Sequence, residues 1–416
     1  MLKFVSKELG YEKKTSKQLL LLHLIALTGS YVREKDFSFE CLNVDFFNAL
    51  ACCIGPSIMY SILRYGSMSF IIERVHPEIS SGHYPNLTIV IPKSLLEIYF
   101  ERVLVQIETG SFDFFMGNQH VLAECRESFI TYLKRNVRNG VLKTSIRATM
   151  VLHVVSTEGY EEYVHFFIGI DKNLVNQQDS NGQTALHKAC IKGHVNIAKL
   201  LLDNGANIDI HDNNYKTALD IACDSGLNDT CLVDFLLSRK AKIGPKLTDF
   251  RTALHVACER NRFDLAELLL KYKASVNEQD YRQYTPLHLA CKNGHVDIVE
   301  LLMEHKPKLN LFDFKGRTAL FYCACEQGSF EIAEMLLINK AIVDFDDKEG
   351  STPLYAACKN GNLKVAKLLL LNKANPNKRN AFRNTPILIA CEKNHIEIVK
   401  LLLVYEVDVN CKIKLK

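Results

Sequence analysis

No stretch of this 416-residue chain approaches the run of about 18 apolar residues that a membrane-spanning helix needs, so no membrane span is expected. An excess of one charge sign is also missing. Lys and Arg number 51 against 47 Asp and Glu, a net charge of +4, which sets up no strong field toward nucleic acid or an anionic membrane. Enzyme signatures are absent too. The sequence has no Gly-rich phosphate loop, no G-x-S-x-G elbow and no pair of carboxylates in a recognisable frame. An enzymatic role is therefore not expected, and no cofactor or metal is called for. The apolar run at 18–30, "QLLLLHLIALTGS", has the length of a signal-peptide core but follows a preamble carrying Glu8 and Glu12. It reads better as a buried helix ending near Gly29.

What the chain does have is apolar residues, 48% of the total, enough for a sizeable core, and 14 cysteines. In a secreted chain so many cysteines would read as a disulfide framework. Their spacing argues against pairing. The segments "TALHKAC" at 184, "TALDIAC" at 217, "TALHVAC" at 252, "TPLHLAC" at 285, "TALFYCAC" at 318, "TPLYAAC" at 352 and "TPILIAC" at 385 are separated by 33, 35, 33, 33, 34 and 33 residues. Cysteine returns at one position of this period, as Cys190, Cys223, Cys258, Cys291, Cys325, Cys358 and Cys391. We expect free thiols in a reducing compartment, the cytoplasm or the nucleus.

Each segment reads as a helix hairpin. In "TPLHLACKNGHVDIVELLMEH", Thr285 offers an N-cap, Pro286 occupies the first helical position, and Leu287, Ala290 and Cys291 share one face. Gly294 ends that helix, and Val296, Ile298, Val299, Leu301 and Leu302 supply the apolar part of a second. Neither short helix hides its apolar face alone, so neighbouring hairpins must stack. Asp precedes the Thr by five residues at Asp179, Asp212, Asp280, Asp313 and Asp347, where it can hold a turn by accepting backbone N–H groups. That register breaks at Leu247 and at Asn380.

The period and the T-P-L-H-x-A signature resemble ankyrin repeats. The resemblance implies a mainly α chain: an ankyrin-repeat solenoid over 146–416, with repeats starting near 179, 212, 247, 280, 313, 347 and 380. A divergent repeat near 146 keeps Leu152, His153 and Gly159. It implies that His187, His255 and His288 order the turn, and that the hairpin tips and the exposed side of the first helices bind protein partners. Metal binding is disfavoured on the residues themselves. Successive cysteines should sit about 10 Å apart, far beyond the ~2.0–2.3 Å of a zinc ligand, and histidine does not follow cysteine from repeat to repeat. The thiols read as small buried hydrophobes.

The tip residues form an aromatic and basic strip: Tyr215, Phe250, Arg251, Tyr281, Arg282, Tyr284, Phe314, Lys315, Arg317, Phe382 and Arg383. This composition is enriched at protein interfaces and points to a protein partner carrying acidic or aromatic groups. The other reading is that tip aromatics cover neighbouring tips. Nucleic acid is not expected, since Asp346, Asp347 and Glu349 interrupt the strip.

Residues 1–145 lack the period and read as a helical or mixed α/β domain. Helices are expected over 16–28, 44–53, 57–75, 93–107 and 119–137, with a strand at 86–92. The run "LTIVIPKSLLEIYFERVLVQIETGSF", followed by "VLAECRESFITYL", resembles the second half of a BTB domain, with Ile107–Gly110 as the matching turn and the usual Tyr missing. "IPKSLLEIYF" also resembles the opening of an F-box. Either would make the chain an adaptor that joins a ubiquitin-ligase scaffold to a client. The main functional expectation is a non-enzymatic protein-interaction scaffold.

Overall fold

The computed structural model describes residues 89–91, 93–116, 122–138, 145–226, 230–244, 250–324, 329–405 and 407–408, together with 32–35, 38–41, 63 and 75–77. The helices expected over 16–28 and 44–53 fall outside these residues, as does 57–75 apart from Leu63 and Val75. The chain divides into two compact bodies, one made of 1–180 and 184–206, the other of 181–183 and 207–416.

In the first body, β1 (Val32–Lys35) pairs antiparallel with β2 (Ser38–Cys41), and β3 (Val75–Pro77) pairs parallel with β4 (Ile89–Ile91), the centre of the strand expected at 86–92. A short 3-10 turn at Lys93–Leu95 runs into α1 (Leu96–Thr109), and then come α2 (Asp113–Met116) and α3 (Leu122–Arg138). α1 buries Tyr99, Phe100, Val103, Leu104 and Ile107 along one face and ends at Gly110, whose φ of 93° closes the last turn without Cβ strain. Phe129 packs against Phe100 and Phe114 with ring centroids about 5 Å apart, and Phe115 and Tyr163 extend the cluster.

α4 (Ser145–Glu158) and α5 (Glu161–Ile170) follow, then the helix pair α6 (Ala185–Lys192) and α7 (Val195–Asp203). α4 packs on α6 and α5 on α7. His194 reaches back to the Thr157 carbonyl at 2.9 Å, and a Cβ on Gly159 would meet the His194 ring at 2.8 Å.

The second body is six helix pairs: α8 (Ala218–Asp224) with α9 (Cys231–Ser238), α10 (Ala253–Glu259) with α11 (Phe263–Lys271), α12 (Pro286–Asn293) with α13 (Val296–Glu304), α14 (Ala319–Cys323) with α15 (Phe330–Ile338), α16 (Pro353–Asn360) with α17 (Leu363–Leu371), and α18 (Pro386–Glu392) with α19 (Ile396–Leu403). First helices stack on first helices from α8 to α18, and second helices on second helices from α11 to α19. The local causes are those legible in the sequence. Thr285 caps α12 by accepting the His288 N–H, Pro286 follows, and Gly294 at φ 74° ends the helix. Ile298, Val299, Leu301 and Leu302 of α13 are buried between pairs. The result is a solenoid of stacked helix hairpins, whose continuous core is shared between neighbours.

Candidate protein-binding surface

The tips that precede α8, α12, α14, α16 and α18 are each built on one acceptor. Asp212, Asp280, Asp313 and Asp347 each bury the carboxylate and turn Oδ1 onto the backbone N–H groups two and four residues ahead, at 2.8–3.0 Å. Asn380 does the same with its amide oxygen at 3.0 and 2.9 Å, so the register that breaks in residue type is kept in chemistry. Leu247 lies outside the described residues. Neighbouring tips are tied by main-chain bonds, Phe314 N–H to Arg282 C=O, Lys348 N–H to Lys315 C=O and Ala381 N–H to Glu349 C=O.

One residue of each tip takes a left-handed backbone. It is Gly316 at φ 81° and Gly350 at 74°, but Tyr215 at 59°, Phe250 at 56°, Gln283 at 60° and Arg383 at 64° elsewhere. A Cβ on Gly316 would lie 2.8 Å from the Lys348 nitrogen, so glycine is needed there for space as well as for φ. Large side chains at this position carry a steric cost, and two of them are aromatic.

The structure sorts the expected contact residues into two groups. Tyr215 is 72% exposed, Phe250 58%, Tyr281 53%, Phe314 40% and Phe382 68%. Arg282 lies over the Tyr281 ring at 5.1 Å and Lys315 over Phe314 at 5.5 Å, and Arg383 is also exposed. Tyr284 does not join them. It is 8% exposed, stacks edge-on with Tyr322 at 5.8 Å, and shares a 3.1 Å hydroxyl contact with it. Tyr322 in turn donates to the fully buried Asp313. The reason is the neighbouring helix, where Tyr322 stands at a position held by Val256 and Leu289 in the preceding pairs and draws a second ring inward. Arg251 and Arg317 are half-buried as well. Arg251 pairs with Glu259, and Arg317 pairs with Asp347 at 3.4 Å while covering the Phe321 ring at 4.9 Å.

Beside the tips lies a cavity of about 620 Å³ that the tip sequences alone do not reveal. Arg317, Asp347, Glu349 and Phe382 from the tips and Lys292, Tyr322, Tyr355 and Lys359 from the first helices face it. The signal that could have found it is the helix position seven residues after each Thr, which holds Lys292 and Lys359 here but Asp224 and Glu259 in earlier pairs.

The histidines have structural partners. Nδ1 of His187, His255 and His288 accepts the N–H of Thr184, Thr252 and Thr285 at 3.0–3.1 Å, closing a capping box. Nε2 of His255 and His288 donates to the carbonyls of Tyr284 and Arg317 in the next tip, and His153 treats Gln177 the same way. Burial pushes the His153 and His255 pKa values down, and His288 to about 4, keeping these rings neutral. Asp220 replaces histidine in the same box at Thr217.

Cys190, Cys223, Cys258, Cys291 and Cys358 are buried free thiols, with burial pushing Cys190 and Cys358 up to about 12. One point differs from expectation. Cys391 is exposed, because among the described residues no later helix covers α18 on that side. Burial, then Cys323 and Cys258, raise the pKa of Cys291. Cys323 takes the place next to Cys291, and Cys325 lies outside the described residues. Among the described residues no group of three or more His, Cys, Asp or Glu is arranged to hold a metal ion, and no helix is long and apolar enough to cross a membrane.

Comparison with known proteins agrees with this geometry. A family model described as "Ankyrin repeats (3 copies)" matches residues 152–246, 227–313, 254–345 and 308–380, and "Ankyrin repeats (many copies)" matches 369–412. Among curated relatives, a transient receptor potential cation channel subfamily A member 1 homolog from Caenorhabditis elegans is 36% identical over 106 residues, 26% of this chain and 8% of the relative. Alpha-latroinsectotoxin-Lt1a from Latrodectus tredecimguttatus is 28% identical over 136 residues, 32% of this chain and 9% of the relative. The human transient receptor potential cation channel subfamily A member 1 is 30% identical over 124 residues, 29% of this chain and 11% of the relative. The chain thus covers only a small part of each relative's length. The capped helix hairpins, their 33-residue register and the family matches spanning 152–412 together show that this chain belongs to the ankyrin-repeat family.

Proposed function

We propose that the chain is a non-enzymatic binding module that captures a protein partner through the tips of its second body. The observation that carries this reading is the row of exposed tip aromatics, Tyr215, Phe250, Tyr281, Phe314 and Phe382. Two of them, Tyr215 and Phe250, stand on left-handed backbone where other tips carry glycine, so their side chains are kept at a steric cost to the turn. Rings 40–72% exposed and flanked by Arg and Lys have the composition of interface anchors. The matched relatives are named as cation channels and a toxin, so what they share with this chain is the repeat module. We also read α4 and α5 as a divergent first repeat, supported by the His153 and His194 bonds. The free buried thiols support work in a reducing compartment, the cytoplasm or the nucleus.

A second reading is the ubiquitin-ligase adaptor, favoured by β4 leading into α1 and by the Gly110 turn. It would require the full chain to bind a purified cullin-type scaffold directly.

The main reading is tested with a random peptide display selection on the immobilised full chain. Selected peptides should lose at least about tenfold in affinity for the triple variant Tyr281→Ala, Phe314→Ala, Phe382→Ala. Its thermal midpoint should shift by only a few degrees, since surface substitutions cost about 0.5 kcal/mol or less each. Peptides that bind the triple variant as tightly as wild type would refute the tips as the binding surface.

A further inference from the structure

The cavity beside the tips differs from the rest of the array in its charges. At the helix position seven residues after the Thr, Asp224 is held by Lys216 and Arg260, and Glu259 by Arg251. In the cavity the same position carries Lys292 and Lys359, with Cys325 between them outside the described residues; Glu392, the next in the row on α18, is paired with Lys393. The other charges lining it are largely committed. Asp347 is buried, holds the tip through Glu349 N–H and Ser351 N–H, and faces Arg317. Glu349 is the one acid left on the rim. Lys292 is exposed above the Tyr284 ring at 5.4 Å, and Lys359 is exposed with no carboxylate partner among the described residues. Phe382 stands 68% exposed at the edge next to Lys359 in the stacking order.

We propose that this groove binds an extended acidic peptide, with Lys292 and Lys359 each taking one carboxylate and the Phe382 ring covering an apolar side chain beside the second. This rests on the protein-binding reading above and gives it a ligand class. The spacing of the carboxylates follows from the fold. Lys292 and Lys359 sit two helix pairs apart, and packed helices lie about 8–10 Å apart, so the ammonium groups are separated by roughly 16–20 Å. An extended chain advances about 3.3 Å per residue, which sets the two acids five or six residues apart. A polynucleotide fits less well: it carries a charge on every unit and stacks through successive bases, whereas the groove offers two lysines and, among its lining rings, one open face, Phe382, with Phe321, Tyr322 and Tyr355 buried.

The test uses the full chain and an array of synthetic twelve-residue peptides, each with two glutamates three to eight residues apart and a leucine or phenylalanine next to the second. Fluorescence anisotropy should show tightest binding at a spacing of five or six. The glutamine versions should bind at least about tenfold more weakly, as should the glutamate peptides to the double variant Lys292→Glu, Lys359→Glu. Lysine-bearing peptides should recover binding to that variant, a readout that misfolding cannot produce. An absence of spacing preference, or glutamate peptides that bind the double variant as well as wild type, overturns the proposal. If display-selected peptides depend on Tyr281, Phe314 and Phe382 but ignore Lys292 and Lys359, the acidic clamp is wrong while the protein-binding reading stands. Capture of an oligodeoxythymidine by wild type and not by the double variant, with no acidic peptide bound, overturns both in favour of nucleic acid.

Discussion

At the scale of single residues, the histidine that recurs in some repeats and not others is explained by what its threonine needs. Where the slot holds His187, Asp220, His255 or His288 the Thr hydroxyl and N–H find the slot's side chain. Where it holds Phe321 or Leu388, the buried hydroxyls of Thr318 and Thr385 have no partner among the described residues. The box depends on a neutral imidazole, because Nδ1 must accept a backbone N–H. His288 in the folded state is pushed down to about 4 by burial, below the ordinary value near 6.5. As pH falls past 6.5, the unfolded chain takes up this proton first. The stability that the neutral ring contributes is therefore complete above pH ~6.5 and is lost toward pH ~4, by up to roughly 3 kcal/mol. The variant His288→Phe should be about 1–2 kcal/mol less stable than wild type at pH 7.5. By pH 4.5 the gap should close or invert, as measured by urea unfolding. A gap that is the same at both pH values would rule out the neutral-ring argument. The Thr and His register was legible, and the family resemblance implied that the histidine orders the turn; its neutral ring and the partner carbonyl of Arg317, 29 residues away, were not.

At the scale of the element, the tip is a turn held by one oxygen, and that distinguishes aspartates that look alike in sequence. Asp280 uses Oδ1 for the Arg282 and Tyr284 N–H groups, a job Asn380 performs with an amide. Asp313 adds Oδ2 as acceptor for the Tyr322 hydroxyl inside the core. Asp280→Asn should therefore change stability by no more than about 0.5 kcal/mol, whereas Asp313→Asn presents an NH₂ group to Tyr322 and should cost about 1–3 kcal/mol. Adding Tyr322→Phe should remove much of the Asp313→Asn cost, a coupling readable from a double-mutant cycle in urea. Equal costs at both aspartates would show that Tyr322 contributes nothing to the turn. The helix caps, the proline starts and the glycine ends were all legible because each is a local consequence of residue type. Burial of Tyr284 was not legible, because it follows from Tyr322, which is 38 residues away and unremarkable on its own. Lys292 and Lys359 were equally hidden: their meaning comes from comparing one helix position across stacked pairs, and the tip sequence does not contain them.

At the scale of the molecule, stacked hairpins contact only their neighbours, so the stability of the second body should fall off toward an uncovered face in a way that a single globular core would not show. The recurring cysteine reports this, because the same side chain sits at one register position in successive pairs. Cys391 is exposed on α18, where Ile396, Leu403 and Val404 of the same pair also stand largely in solvent. Cys358 on α16 is buried beneath that pair, and Cys291 and Cys258 lie further along. A buried thiol reacts only after its cover opens and it can ionise, and burial has moved Cys358 up to about 12. Peptide-resolved iodoacetamide labelling of the native chain at pH 8 should therefore modify Cys391 first. Cys358 should follow at least about a hundredfold more slowly, because opening the α18–α19 pair is a local event costing several kcal/mol. Cys291 and Cys258 should be slower again, since exposing them requires two or more pairs to open. Glycine in place of Ala390, buried in α18, should loosen the last pair and speed Cys358 without speeding Cys258 in proportion. If Cys358, Cys291 and Cys258 label at one common rate, the second body unfolds as a single unit and the nearest-neighbour account of its stability is wrong. If their rates are graded, the lability lies next to the tip that carries Phe382, so partner binding there should slow Cys358 more than Cys258.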